Sequence, residues 1–324
     1  MISSQTRTCP AAHEETTTLP DYAAPRSPLR RMLAASFGQA KRTPRCPATP
    51  RLDGKLAVVT GATGGIGLEI ARGLAKRGAA LILPCRSPAK GERVAATLRA
   101  AGAEVALVEL DLEDLLAVRR GAESTLRAAA GRPVSVLVEN AGVWPQRYAT
   151  TRQGFEIAFG VNVLAHFALR RALAAAGALS AARVVMLTGD IYILEAACTP
   201  DYRWSGRLGG MRAYCRSKLG NLWIGAELAR RSPSLEVAVV HPGVVATNLG
   251  GDAGALGNRF KRLLMIPPEL GAETPLFCAT QPGLESGGYW HNAHGRMRLA
   301  ADDPARDAAA AAKLWDTCEA LASA

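Results

Sequence analysis

The sequence predicts an α/β fold in which a single doubly wound parallel sheet carries helices on both of its faces. Short apolar runs alternate with longer segments of helical spacing from Lys55 onward, and a glycine-rich turn follows the first run. No linker-like break follows residue 54. Short continuous apolar strands separated by helices indicate a parallel sheet, because right-handed crossovers cover both of its faces. We therefore expect one domain at residues 51–324.

The predicted elements alternate strictly along this domain. Apolar runs without alternation predict buried strands, whereas spacing of three and four residues predicts amphipathic helices. The segment 250–273 is rich in Gly and then in Pro, and it predicts either a substrate-covering loop with a short helix or a plain surface connection. The strands are predicted at 56–59, 80–83, 105–109, 134–138, 183–187 and 237–240, and the helices at 66–76, 89–101, 115–130, 155–176 and 211–230.

Residues 1–50 differ in composition from the rest of the chain. They are rich in Thr, Pro, Arg and Ala and lack sustained periodicity, which predicts a disordered or loosely attached N-terminal extension. The basic character of this extension leaves association with a membrane surface open. No uninterrupted apolar stretch approaches the length of about 20 residues that a membrane helix needs, so we expect no transmembrane segment.

Charge and cysteine usage exclude several classes of protein. The net charge of +11 is not gathered into a basic stripe with interleaved aromatic residues, which argues against a nucleic-acid partner. The seven cysteines are scattered, and no Cys/His cluster has the spacing of a zinc site, so we expect no metal. Free thiols are typical of a reducing compartment, and the sequence therefore favours a cytoplasmic location.

The glycine-rich turn carries the first chemical signal. The segment 60–67 lies between the first predicted strand and the first predicted helix, where unpaired backbone N–H groups and the helix dipole favour a pyrophosphate. In this reading Gly61 makes the tight turn, Gly65 lets the backbone approach the phosphates, and Gly67 lets the helix and strand pack closely. An ordinary strand–helix turn is the alternative, because a lone glycine pattern is a weak signal.

Tyr214 and Lys218 form the second signal. They lie four residues apart near the start of a predicted helix and therefore share one helix face. A nearby ammonium favours the phenolate, which moves a tyrosine toward acid–base chemistry near neutral pH. Four further segments (111–112, 139–142, 161–163 and 241–247) fall at carboxyl ends of predicted strands or in the adjoining helix, where a shared cleft forms.

These ordered motifs resemble those of the short-chain dehydrogenase/reductase family, which has a Rossmann-type fold, and most closely those of its retinol-dehydrogenase-like branch. The resemblance runs from about Asp53 to the C-terminus. It implies an oxidoreductase that moves a hydride between a nicotinamide cofactor and a carbonyl or alcohol carbon of a fairly apolar small molecule. It also implies a homodimer or homotetramer, paired through the two long helices that follow the fourth and fifth strands.

The resemblance also assigns roles to residues of this chain. Tyr214 would be the general acid or base, Lys218 would bind the nicotinamide ribose and lower the pKa of Tyr214, and Asn162 would hold a relay water. The dinucleotide would contact Gly61, Thr63, Gly65, Ile66 and Gly67 at the pyrophosphate and ribose, Asp111 and Leu112 at the adenine, Asn140, Ala141 and Gly142 along the sheet, and Pro242, Gly243, Val245 and Thr247 at the nicotinamide end.

The end of the second predicted strand favours NADP(H) over NAD(H). An acidic residue there would accept the ribose 2′-OH of NAD, but Cys85 occupies the position and Arg86 follows it. A guanidinium suits a 2′-phosphate by charge and by paired hydrogen bonds. The alternative is that Arg86 simply faces solvent.

One position departs from the family pattern in a way that affects the predicted chemistry. The family has a serine that hydrogen-bonds the substrate oxygen, and Gly189 stands in its place. Thr188 could supply the hydroxyl, Asp190 could act instead, or Tyr214 and backbone N–H groups could hold the oxygen alone. Loss of one such donor costs on the order of 10²–10³ in rate. A weakly active or non-catalytic dinucleotide-binding sensor or scaffold is therefore the alternative function. Glu139, in place of the usual asparagine, is a milder departure.

Overall fold

A computed structural model describes residues 21–25, 27, 31, 38–246 and 265–323, and within them nine strands form one sheet. The sheet order is β1-β9-β8-β7-β6-β5-β2-β3-β4, and β8 with β9 is its antiparallel pair. The predicted doubly wound, mostly parallel fold is therefore confirmed. The strands are β1 (Asp21–Ala23), β2 (Leu56–Val59), β3 (Ala80–Cys85), β4 (Val105–Glu109), β5 (Val134–Glu139), β6 (Arg183–Leu187), β7 (Glu236–His241), β8 (Gly288–His291) and β9 (Gly295–Arg298).

Helices cover both faces of this sheet. Alternate residues of β2 feed two separate cores, since Val58 packs on one side and Val59 on the other. The first core is closed by α4, α5, α6 and α9, and the second by α2, α3 and α8. The helices are α1 (Gln39–Arg42), α2 (Gly65–Lys76), α3 (Pro88–Ala100), α4 (Leu115–Ala129), α5 (Ile157–Ala175), α6 (Gly206–Arg231), α7 (Pro268–Gly271), α8 (Glu273–Thr280) and α9 (Ala308–Ser323).

The six predicted strands and five predicted helices are all present, and the differences lie at their ends and at the sheet edge. Helix α6 begins five residues before its predicted start, because its first turn is exposed and lacks an apolar period. The short strands β1, β8 and β9 were not predicted. The segment 250–264 lies outside the described residues, whereas the remainder of the predicted irregular stretch contains α7.

The N-terminal segment is attached more firmly than the sequence predicts. Strand β1 adds to the sheet edge beside β9, and the Tyr22 ring stacks on His294 at 4.0 Å between ring centroids. Arg31 and Gln39 are each only 2% exposed. For these described residues the contacts argue against loose attachment. The sequence gives no sign of them because a partner of Arg31 lies 272 positions further along the chain.

Helices α5 and α6 are enclosed by the C-terminal helix. The Trp315 ring of α9 meets the Phe167 ring of α5 edge to face at 4.9 Å between centroids, and Glu319 pairs with Arg171 at 2.8 Å. By length and composition α5 is the one described helix that could cross a membrane. However, 78% of its apolar window is buried inside the fold. Burial of this kind is typical of a core helix.

Candidate active site

The glycine turn lies at the topological switch point, between β2 and its neighbour β5. Gly61 has φ +69°, which favours glycine, and it makes the predicted tight turn. A Cβ on Gly67 would lie 2.4 Å from both the Asn140 amide nitrogen and the Gly61 carbonyl oxygen, so the predicted close packing is confirmed. Asn140 itself donates from Nδ2 to the Thr60 carbonyl oxygen at 2.9 Å. The turn after β2 is thus bonded to the end of β5.

A cleft of about 590 Å³ opens above this turn at the carboxyl ends of four strands. Its volume falls within the range of small-molecule and cofactor sites. A Cβ built on Gly64 would meet no atom within 4 Å, so the turn presents bare backbone to open space, as a pyrophosphate requires. The cleft gathers the predicted residues Gly61, Thr63, Gly65, Ile66, Gly67, Arg86, Asp111, Leu112, Asn140, Ala141 and Gly142.

The wall beside β3 is positively charged. Arg86 and Lys90 both line the cleft, and Ser87 between them caps α3 by accepting a hydrogen bond from the Lys90 backbone N–H at 3.4 Å. Cations at a helix N-terminus oppose the helix dipole unless an anion is bound there. Glu113 on the opposite wall pairs with Arg86, and both side chains are largely exposed. Sequence reasoning found Arg86 but missed Ser87, Lys90 and Glu113.

Tyr214 and Lys218 lie on the buried face of α6. The Trp144 ring stacks on the Tyr214 ring at 4.8 Å with an interplanar angle of 3°, and Tyr214 is 9% exposed. The Lys218 ammonium lies 5.2 Å from the Tyr214 ring centroid and donates to the Leu187 carbonyl oxygen at 3.1 Å. The ring stack and the backbone bond therefore hold both side chains of the predicted pair in place.

Burial governs the protonation of this pair. It lowers the pKa of Lys218 to about 8. Burial, and then the nearby Cys215, raise the pKa of Tyr214 above its ordinary value, so the phenol keeps its proton. This differs from the prediction that the ammonium would favour the phenolate. Loss of hydration outweighs the attraction of a charge that is itself poorly solvated.

Asn162 and Gly142 join the pair to the cleft. A Cβ on Gly142 would lie 3.1 Å from Asn162 Oδ1 and 3.9 Å from Lys218 Nζ. The Asn162 amide accepts from the Val143 N–H at 2.7 Å and donates to the Val143 carbonyl and to Ser217. Both polar atoms of its side chain are therefore engaged by protein groups, and Asn162 fixes the turn after β5 to a π-helical segment of α5, Gly160–Leu164.

Gly189 lies beside the phenol. A Cβ on Gly189 would stand 4.0 Å from the Tyr214 hydroxyl and 3.6 Å from Ile191, so a side chain fits there without displacement. Its φ of −151° is extended backbone that any residue adopts. The position that a serine occupies in the family is thus geometrically intact here, and it lacks only the hydroxyl.

The two predicted replacements for that serine are engaged elsewhere. Thr188 donates its hydroxyl proton to the Lys218 carbonyl oxygen at 2.7 Å, so it holds the sheet to α6 and has no second proton to offer. Asp190 accepts hydrogen bonds from Arg31 and Tyr289, each at 2.8 Å, and is 4% exposed. These hydrogen bonds argue against either residue as the missing donor. The remaining alternative is Tyr214 together with backbone N–H groups.

The segment after β7 completes the opposite side. Gly243 has φ +97°, and Val245 forms a bridge with the buried Ile266. A Cβ on Gly271 would lie 2.7 Å from Val245 and 3.4 Å from Ile66, so Val245 reaches the glycine-turn side of the cleft. Pro242 precedes Gly243 directly after β7, whereas the predicted residue Thr247 lies outside the described residues.

Glu139 has a structural explanation. Its carboxylate pairs with Arg170 of α5 at 2.5 Å, and both side chains are at most 3% exposed. Burial raises the pKa of Glu139 above its ordinary value, while the neighbouring guanidinium opposes that shift. The acid at the end of β5 thus belongs to a buried ion pair that ties the sheet to α5, and it does not line the cleft.

Comparisons with known proteins agree with this geometry. A family model for short chain dehydrogenase matches residues 55–202. Retinol dehydrogenase 12 from Homo sapiens is 37% identical over 287 residues, which cover 85% of this chain and 89% of that protein. The solved structure of an uncharacterized protein from Mycobacterium paratuberculosis matches with a TM-score of 0.68 and 32% identity, over 86% of this chain and 98% of its own. A short chain dehydrogenase from Burkholderia cenocepacia in complex with NADP matches with a TM-score of 0.62 and 25% identity, over 76% and 99%.

Proposed function

Since the chain belongs to the short-chain dehydrogenase/reductase family, on its retinol-dehydrogenase-like branch, it is an NAD(P)-dependent oxidoreductase of alcohols and carbonyls, and we propose that it uses NADP(H) and a fairly apolar small substrate. One observation carries this proposal. Asn162 and Lys218 both lie beside Gly142, which lines the cleft above the glycine turn, and the Lys218 ammonium in turn lies 5.2 Å from the Tyr214 ring centroid. The proton-handling residues therefore adjoin the place where a dinucleotide fits.

The residues proposed to hold the cofactor follow the cleft from end to end. The turn of Gly61, Gly64 and Gly65 would hold the pyrophosphate, and Asp111 with Leu112 would contact the adenine. Gly142, Pro242, Gly243, Val245 and Thr247 are proposed at the nicotinamide end. When bound, the cofactor supplies or accepts the hydride.

The chain's own residues handle the proton. We propose that Tyr214, whose pKa burial raises, donates its proton to the carbonyl oxygen during reduction and takes it back during alcohol oxidation. Lys218 holds a positive charge beside the phenol ring and stabilises the phenolate once the proton has left. Trp144 stacks on the phenol and keeps water away from one side of the ring.

The preference for NADP(H) rests on the wall beside β3. Arg86, Ser87 and Lys90 together offer a guanidinium, a hydroxyl and an ammonium at the positive end of α3. The tip of β3 has Cys85 in place of an acid that would bind a ribose 2′-OH. A 2′-phosphate would satisfy these groups and would displace Glu113 from Arg86.

A substrate screen with both cofactors tests the proposal. The purified full chain is mixed with NADPH or NADH and a panel of apolar and polar aldehydes and ketones, and oxidation of the cofactor is followed by absorbance. We expect turnover that is faster with NADPH and with apolar carbonyls. Turnover only with NADH, or only with charged substrates, would contradict the proposal.

Gly189 supports the second candidate, a weakly active protein that acts mainly as a dinucleotide sensor or scaffold. This function predicts tight NADPH binding with no turnover of any carbonyl in the panel, and none of alcohols with NADP⁺. The same screen therefore separates the two candidates.

Location and assembly also stand as proposals. We propose a reducing, cytoplasmic compartment, because the six cysteines that the structure describes are free thiols.

We propose that a homodimer or homotetramer would use a surface other than the long helices, because α9 covers α5 and α6.

A further inference from the structure

Arg31 of the N-terminal segment is buried against the loop that follows β6. Its Nε donates to Asp190 Oδ1, its Nη1 to Asp303 Oδ2 and its Nη2 to the Tyr192 hydroxyl, each at 2.8 Å. The guanidinium is 2% exposed. A planar, permanently charged group thus holds three partners in one arrangement, which a lysine could not do.

The partners of Arg31 depend on it electrostatically. Tyr289 donates to Asp190 at 2.8 Å, and Tyr192 donates to Asp303 at 3.0 Å, so both phenols serve as neutral donors. Asp190 Oδ2 is buried with no hydrogen-bond partner among the described residues. The Arg31 guanidinium is therefore the cation that balances two buried carboxylates, and its removal would leave both uncompensated.

Gln39 makes a second contact of the same segment, on the loop after β7. Its amide oxygen accepts from the Val244 N–H at 3.0 Å, and its amide nitrogen donates to the Val244 carbonyl at 3.2 Å. The side chain thereby makes two bonds to one residue, as a neighbouring strand would. A Cβ on Gly243 would lie 2.8 Å from the Gln39 oxygen, so the contact also requires the glycine.

We propose that Arg31 and Gln39 are positioning residues for the reaction. Through them the N-terminal segment fixes the geometry of two loops of the active site. Arg31 holds the loop of Gly189, whose Cβ position lies 4.0 Å from the Tyr214 hydroxyl, and Gln39 holds the Gly243 loop at the end of the neighbouring strand β7. The inference rests on the proposed roles of Tyr214 and of the segment 242–247.

The link from Arg31 to the reacting atoms is short. Asp190 and Tyr192 belong to the 3-10 turn Asp190–Leu194, and the Tyr192 N–H donates to the Gly189 carbonyl at 3.1 Å. The Asp190 N–H donates to His241 at 3.2 Å. Release of Arg31 would let this turn relax, and Gly189 would shift relative to the Tyr214 hydroxyl. A displacement of about 1 Å can cost on the order of 10²-fold in rate.

The first experiment replaces Arg31 in the full chain. Arg31→Met removes both the charge and the planar set of hydrogen-bond donors of the guanidinium, whereas Arg31→Lys keeps only the charge. We expect kcat for the best aldehyde of the panel to fall about 10- to 100-fold in Arg31→Met and by less in Arg31→Lys. The Kd for NADPH, measured by its fluorescence, should stay within about threefold, because the glycine turn is remote from Arg31.

Arg45→Met is the matched control. Arg45 belongs to the same segment and pairs with Glu273, but its side chain is 69% exposed, so neither kcat nor Kd should change. A folded Arg31→Met protein with a wild-type kcat would overturn the proposal, as would a loss of NADPH binding as large as the loss of kcat. If Arg31→Met does not fold, the same measurements on Arg31→Lys decide.

Hydrogen exchange provides a readout that does not require turnover. The N–H groups of Asp190 and Tyr192 should exchange faster in both Arg31 variants than in the wild type, while those of β6 should not change. Unchanged exchange in residues 189–194 would contradict the role of Arg31, whatever the activity. The role proposed for Tyr214 fails separately, if Tyr214→Phe retains full turnover.

Gln39→Leu tests the second contact. It removes both bonds to Val244 at nearly constant volume, so we expect NADPH binding to weaken about tenfold with a smaller change in kcat. Wild-type NADPH affinity in Gln39→Leu would show that the segment does not position the Gly243 loop.

Discussion

The two ends of the cleft differ in how far apart in the sequence their residues lie. At the nucleotide end, the glycine turn and Arg86 follow β2 and β3 directly, and each short segment carries its own geometry. At the reaction end, Tyr214 and Lys218 depend on groups far away in the chain, including Trp144 and the Arg31 network. The first end keeps the family pattern, whereas the second departs from it at Gly189.

This difference teaches that a cofactor cradle is a local property and a reaction centre is not. The turn after β2 works through backbone N–H groups, which any chain with the right glycines presents. In the role proposed for it, the Tyr214 hydroxyl must be held by its neighbours within a fraction of an ångström of the substrate oxygen. Changes at the two ends should therefore separate into effects on binding and effects on turnover.

The largest effect is expected from Tyr214→Phe. Loss of the proton donor should lower kcat by about 10² to 10⁴ while NADPH binding stays nearly unchanged, because the ring and its stack on Trp144 remain. Stopped-flow oxidation of NADPH and a fluorescence titration measure the two quantities. Tyr148→Phe, at an exposed tyrosine that does not line the cleft, is the control. Equal losses of NADPH binding and of kcat would contradict the claim that changes at the reaction end affect turnover alone.

Lys218→Met should reveal a stability cost at the reaction end. The pKa of Lys218 is about 8 in the folded chain and 10.5 in the unfolded chain, so below pH 8 the fold must hold a buried charge. Removing it should stabilise the cofactor-free protein by up to about 3 kcal/mol at pH 7.

This gain should shrink as the pH rises from 8 to 10.5, because folded wild-type protein then releases the proton that the unfolded chain still holds. Urea unfolding at pH 7 and pH 10 measures the difference, with the exposed Lys55→Met as the control. A gain that does not change with pH would mean that burial of the ammonium is not its cause.

Gly189→Ser should bring the reaction end back toward the family pattern. The Cβ position of residue 189 is open and lies 4.0 Å from the Tyr214 hydroxyl, so we expect a serine hydroxyl there to raise kcat/KM about 10- to 100-fold. Gly189→Ala fills the same space without a donor and should give no gain. If serine and alanine behave alike, a hydroxyl is not what this position lacks.

Arg86→Gln should act at the nucleotide end alone. We expect NADPH binding to weaken about tenfold while NADH binding and kcat change little, because the lost contact is a charge-assisted bond to the 2′-phosphate. Arg93→Gln, on the exposed face of α3, serves as the control. Equal weakening of both cofactors would indicate that Arg86 does not read the phosphate.

The sequence predicted most of the fold because periodicity and glycine placement are local signals. The strands from β2 to β7, the turn at Gly61 and the tyrosine–lysine pair all follow from neighbouring residues. Burial of Arg31 does not, because its hydrogen-bond partners lie in two distant segments, the 3-10 turn Asp190–Leu194 and Asp303. The hydrogen bond from Thr188 to the Lys218 carbonyl oxygen could not be predicted either, since strand alternation alone does not indicate which backbone group a hydroxyl will contact.

The buried pair of Glu139 and Arg170 has a consequence for how this chain can change over evolutionary time. An asparagine at position 139 alone would strand the Arg170 guanidinium inside the protein, at a cost of about 3–5 kcal/mol. Loss of Arg170 alone would strand the acid in the same way. Replacement of the pair by neutral residues therefore needs both positions to change together, because each single change leaves one buried group without its partner.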